Sequence, residues 1–121
     1  MSNIKVKKTL HYSMRAKSRG IRDQDALFTL EYGEIKNDKF FTNRKIVQKL
    51  KNELDLKIEK LLFLGKKYKG FEVLKLISKA LRNIQKLRSI AMRLLDKGGV
   101  TVIYDNNSLI TAYQTNSFKC Y

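Results

Sequence analysis

One histidine stands in this sequence, and two arginines follow it at the spacing of helical turns: His11, Arg15 and Arg19. Residues four apart stack on one helix face, so a helix here sets an imidazole and two guanidinium groups in a row. Such a row suits phosphate chemistry. An imidazole moves a proton, and guanidinium groups hold phosphate oxygens in pairs and offset charge that builds in a transition state. Near the other end, Thr111 and Tyr113 lie two apart, which puts both on one face of a strand. RNA cleavage needs little more, because the substrate brings its own nucleophile. The 2′-hydroxyl attacks the adjacent phosphorus, the 5′-oxygen leaves, and His11 or Tyr113 carries the protons while Thr111 positions the substrate. Each residue also has a plainer reading. His11 suits bracing a helix, Arg15 and Arg19 suit surface charge or pairing with Asp23 and Asp25, Thr111 suits a strand by propensity, and Tyr113 suits edge packing.

The elements that must position these residues are legible in outline. Leu10 to Ser18 reads as a short helix ended by Gly20, and Asp23 as the N-cap of a second helix with Ala26, Leu27 and Leu30 on its apolar side and Gly33 at its stop. This order also suits a DNA-binding helix-turn-helix, but Asp23, Asp25 and Glu31 would set an acidic recognition helix against phosphate. Lys39 to Thr42 reads as a short strand. Two long helical patterns follow, from about Asn43 to Lys67 and from about Phe71 to Lys97, each with an apolar stripe. Opposite the second stripe, Lys75, Lys79, Arg82, Lys86, Arg93 and Lys97 form a basic ridge, offset within the helix only by Glu72 and Asp96. The ridge suits contact with a phosphate backbone and equally a solvated face. Gly98 and Gly99 then break the helix. Val100 to Tyr104 and Leu109 to Tyr113, joined by a turn over Asp105 to Ser108, read as a β-hairpin. Strict alternation would put Leu109, Thr111 and Tyr113 on one face and Ile110 and Ala112 on the other. The tail from Gln114 to Tyr121 reads as frayed.

The expected fold class is therefore α+β: N-terminal helices (1–36) and a long helical hairpin (43–97), packed with a small antiparallel sheet that ends in a β-hairpin (99–114). A chain of 121 residues, 43% of them hydrophobic, suits one domain over 1–121. The 26 Lys and Arg against 11 Asp and Glu give a net charge of +15, which points to a polyanionic partner: RNA, DNA, an acidic protein or an anionic membrane surface. One His and one Cys do not make an ordinary zinc site, and no cofactor is implied. Cys120, the only cysteine, has no internal partner, which fits a reducing cytoplasm. The N-terminal residues lack the apolar core of a signal peptide, and no apolar run approaches a membrane span, so no membrane partner is expected.

Three segments carry a resemblance: the run from His11 to Ile21, Glu31 to Gly33, and Val100 to Tyr113. They resemble the BrnT and RelE-like toxins, within the wider ribonuclease group that includes barnase and the colicin nucleases. The resemblance implies an α+β fold and a metal-independent endoribonuclease, often the toxin of a toxin–antitoxin pair. It implies that His11, Arg15 and Arg19 lie beside the sheet face holding Thr111 and Tyr113. Residues 43–97 depart from it, being far more helical than those toxins usually are there. The rival readings are a non-catalytic phage or plasmid protein that binds nucleic acid or a host nucleoprotein complex and blocks it, and a helical-hairpin module whose ridge meets an acidic protein such as an antitoxin.

Overall fold

The computed structural model describes residues 7–116, so Cys120 lies outside the described residues. In chain order the elements are β1 (Lys7–Lys8), α1 (Leu10–Ser18), α2 (Asp23–Tyr32), β2 (Glu34–Lys36), β3 (Lys39–Phe41), α3 (Arg44–Lys67), α4 (Phe71–Lys97), β4 (Val100–Asp105) and β5 (Ser108–Gln114). The fold is α+β, with a five-stranded sheet ordered β1-β5-β4-β3-β2. The pairing is antiparallel except at one edge, where β1 runs parallel to β5. The sheet is thus mixed rather than purely antiparallel.

Local chemistry fixes each boundary. Thr9 caps α1 by accepting a hydrogen bond from the Tyr12 amide at 3.0 Å. The second helix starts one residue away from the expected arrangement. Arg22 holds the cap position, Asp23 is the first helical residue, and Asp25 reaches back to accept the Arg22 amide at 3.2 Å. Asn43 caps α3 through the Ile46 amide at 2.9 Å. Two turns share one device: Asn37–Asp38 and Asn106–Asn107 all have positive φ, as a two-residue type I′ hairpin requires. The first of these closes β2 on β3, a hairpin of which the sequence reading had only the second strand.

Gly98 takes the left-handed cap of α4 at φ 78°. At Gly99 a Cβ would stand 2.0 Å from the Thr42 carbonyl oxygen, so any side chain there would force α4 away from the sheet. The hydroxyls around this joint are bonded in series: Thr42 accepts the Val100 amide at 2.9 Å, and Thr115 donates to the Thr42 carbonyl at 2.7 Å. The end of β5 is therefore tied down: Gln114 is its last residue, and the Thr115 amide donates to the Gly99 carbonyl. The expected fraying does not begin at Gln114.

One register shift reassigns the faces of β5. Tyr104 pairs with Leu109 and Ile103 with Thr111, leaving Ile110 as the extra residue of a β-bulge. Leu109 consequently shares the inner face with Ala112, and both are fully buried. The strict alternation that grouped Leu109 with Thr111 and Tyr113 is corrected by that one residue. Tyr12, Ala16, Ala26, Phe28, Leu94, Val100 and Val102 complete the core on this inner face.

The proximal parts of α3 and α4 reach this core through Val47, Leu54, Ile90, Ala91 and Leu94. An ion pair between fully buried Asp25 and Arg93, 2.9 Å long, ties α2 to α4. Asp55 on α3 holds Arg88 on α4 at 2.7 Å and Lys51 at 3.0 Å. The two helices of 24 and 27 residues are about 36 and 40 Å long at 1.5 Å per residue, longer than the sheet they stand on. Their distal halves form an arm. No helix of the described residues is long and apolar enough to cross a membrane.

Candidate nucleic-acid interface

The two chain ends meet at Arg19. It follows the last turn of α1, which lies along β5. Strand β1 pairs with β5 only as far as Leu109, so the outward carbonyls beyond the bulge have no strand beside them in the described sheet. Arg19 fills that place. Its Nη1 donates to the Ala112 carbonyl at 2.8 Å and to the Thr111 hydroxyl at 3.4 Å. A guanidinium group is thus held at the rim of the sheet, against the hydroxyl that the sequence reading paired it with.

The strand register shows what lies around it. Cross-strand partners share a face, so Thr111, Ile103, Lys39 and Lys36 form one row and Tyr113, Thr101, Phe41 and Glu34 the next. Neighbouring strands stand about 4.8 Å apart, so Phe41 and Tyr113 flank Thr101 at roughly 10 Å from each other. This is the outer face. Its Ile103, Thr111, Tyr113 and Phe41 are only partly covered, whereas Val100, Val102, Leu109 and Ala112 on the inner face are fully buried. Thr101, the exception, is covered through its contact with the Thr115 hydroxyl at 3.1 Å. Two aromatic rings, two lysines, two threonines and one glutamate, Glu34, therefore share one sheet face, with Arg19 at its β5 edge.

The other expected site residues are placed differently. His11 and Arg15 lie on α1 in the same row as Arg19, two turns and one turn earlier respectively, and both are exposed. Among the described residues, Arg19 is the member of that row recorded with a hydrogen bond to β5. The basic ridge is divided. Lys75, Lys79, Arg82 and Lys86 are exposed on α4. Arg93 is engaged with Asp25 and Gln24, and Lys97 donates to the Gly20 carbonyl at 2.7 Å. Those two cations hold the N-terminal helices in place.

Lys36, Lys39 and Phe41 were absent from the sequence-based site. The signal for them was the Asn37–Asp38 pair between two short runs, which marks a hairpin and so fixes the register. Tyr12 next to His11 is the one strongly perturbed proton carrier nearby. Its phenol is buried without a hydrogen-bond partner among the described residues, and burial, helped by the charges of Asp23 and Asp25, pushes it up to about 12. It is a core group and does not exchange protons near neutrality. No group of three or more His, Cys, Asp or Glu side chains among the described residues could hold a metal ion.

No protein-family model, curated protein or solved structure matches the chain.

Proposed function

We propose that the protein binds single-stranded RNA across the outer sheet face and cleaves it, without a metal, at a phosphate held beside Arg19 and Thr111. The observation that carries this reading is the docking of Arg19 on the edge of β5, which joins a cation from the first helix to a hydroxyl on the last strand. Arginine carries five N–H donors, and those on Nη2 and Nε are the ones to meet a phosphate. Phe41 and Tyr113 offer faces on which unpaired bases stack, and Lys36 and Lys39 offset backbone charge. The reaction is an internal transfer. A base removes the 2′-hydroxyl proton, the 2′-oxygen bonds to phosphorus, the bond to the 5′-oxygen breaks, and an acid returns a proton to that oxygen. The products are a 2′,3′-cyclic phosphate and a 5′-hydroxyl. Tyr113, two residues along the same face from Thr111, is the first candidate proton carrier, and His11, two helical turns from Arg19, is the second. It is the activity that the resemblance to BrnT and RelE-like toxins implies, in a cytoplasmic protein with an acidic antitoxin as its partner.

Binding without cleavage is the second reading, and one observation favours it: His11 and Arg15 are exposed on α1 instead of being packed over Thr111. Incubation with RNA in EDTA separates the two. Cyclic-phosphate ends that disappear in His11→Ala with Tyr113→Phe support the enzyme, while salt-sensitive binding with intact RNA supports the blocker. Cleavage that survives the double substitution removes these residues from the site.

A further inference from the structure

The groove between α3 and α4 already holds one helix of this chain. Helix α2 carries Asp23, Asp25 and Glu31 and no Lys or Arg. It brings Phe28 and Tyr32, one turn apart, to a small cavity lined by Leu50, Leu54, Ile84 and Leu87 of the hairpin together with Glu53 and Lys57. Near its start, Asp25 takes Arg93 from the basic ridge. What the hairpin meets in α2 is an apolar pair at i and i+4 and one carboxylate, Asp25, while Asp23 pairs with Lys8.

The groove does not stop where α2 does. The α2 helix has 10 residues and is about 15 Å long, less than half the length of the hairpin helices. Along α3 the steps of three and four that join Leu50 and Leu54 continue through Lys57 to Leu61 and Leu64. Along α4 the line through Leu87 continues back to Ala80, Leu76 and Val73. Here the apolar side chains lie open: Leu76 is 68% exposed, and Leu64 and Val73 more than a third. Between Leu56 and Ala80 there are seven lysines and two glutamates. A second copy of the chain would bring these lysines against themselves, whereas an acidic helix would meet them with opposite charge.

We propose that the distal groove of the α3–α4 hairpin is a docking site for an acidic amphipathic helix of a partner protein, laid end to end with α2. The binding mode is a helix in a groove, with Leu64, Val73 and Leu76 receiving its apolar face and Lys57, Lys60 and Lys79 its carboxylates. It rests on the acidic partner of the proposed function but not on RNA binding or cleavage, so either can fail without the other.

The test uses a fluorescein-labelled helical peptide built of Leu at groove-facing positions and Glu elsewhere, with a Lys-for-Glu version as control. Fluorescence anisotropy against the full chain is expected to show saturable, salt-sensitive binding of the acidic peptide alone. Leu64→Glu with Leu76→Glu should weaken it at least tenfold, with circular dichroism confirming an unchanged fold. Lys57→Glu with Lys60→Glu, which leaves the apolar surface intact, should weaken it as well. Equal binding of the Lys peptide, no saturable binding, or indifference to both double substitutions overturns the proposal. So does sedimentation showing a dimer that the leucine substitutions dissociate, or leucine-dependent capture by phosphatidylglycerol vesicles.

Discussion

At the scale of single residues, the two tyrosines near the chain ends have opposite roles. Tyr113 stands on the outer face, whereas Tyr12 is buried with an unpartnered hydroxyl. A buried polar group left unbonded costs about 1–3 kcal/mol, so Tyr12→Phe is expected to raise the melting temperature. The same residue sets an alkaline limit. Its folded pKa is pushed from 10.0 up to about 12, so the folded state favours the neutral phenol. That contribution is complete below pH 10, where the unfolded phenol is also neutral, and is lost as pH rises toward 12. Denaturation followed from pH 9 to 12 should lose stability in the native chain, and Tyr12→Phe should remove this part of the loss. Arg19 makes a different prediction. Arg19→Lys keeps the charge but cannot reproduce a planar fork, so it should lose RNA affinity almost as fully as Arg19→Ala in a filter-binding titration. Full retention of affinity by the Lys variant would remove Arg19 from the interface.

At the scale of elements, the ion pair of Asp25 and Arg93 joins the N-terminal helices to the hairpin. Removing one partner of a buried pair costs about 3–5 kcal/mol, whereas replacing both by apolar groups is often near neutral. Urea unfolding should therefore show Asp25→Leu strongly destabilised and Asp25→Leu with Arg93→Met largely recovered. On the other side of the hairpin, Arg88 and then Lys51 hold the Asp55 carboxyl below its usual range. Its contribution is present above the ordinary carboxylate pKa and fades as pH falls through the lowered value, so Asp55→Asn should flatten the acid limb of stability. The sequence made the elements legible where local chemistry is strong. The two long helices, the αL glycine after Lys97, and the final hairpin all follow from spacing and turn residues. Short elements were not legible. Strand β1 has two residues, Lys7 and Lys8, with nothing apolar to mark them, and it exists because β5 offers it an edge. The bulge at Ile110 was hidden for a related reason. It is set by pairing with β4, and sequence alternation carries no information about a partner's register. The candidate site was half legible: Arg19 and Thr111 were found, but Lys36, Lys39 and Phe41 needed the register of β2 and β3.

At the scale of the whole molecule, two of the basic surfaces that contribute to the net charge of +15 have the extent to follow a nucleic-acid backbone. The sheet face holds Lys39 and Lys36 on β3 and β2, across β4 from Arg19 at the β5 edge, with the rings of Phe41 and Tyr113 in the neighbouring row. The α4 ridge holds Lys75, Lys79, Arg82 and Lys86, with one exposed ring, Phe71, beside Lys75 and Arg82 at its distal end. A strand that stacks successive bases needs both kinds of group, and the sheet face has two rings flanking Thr101 against one at the end of the ridge, so the sheet face is the expected track. Salt dependence tells the two apart, because each phosphate contact contributes about 0.7 to the slope of log K against log salt for a single strand. Lys36→Ala with Lys39→Ala should lower that slope by about 1.4, and Phe41→Ala should weaken binding by about 1–3 kcal/mol with the slope unchanged, since stacking carries no net charge. Neutralising the four exposed ridge residues should leave the slope nearly as it was. A slope that falls only in the ridge variant would move the RNA onto α4 and separate the polyanion site from Arg19 and Thr111.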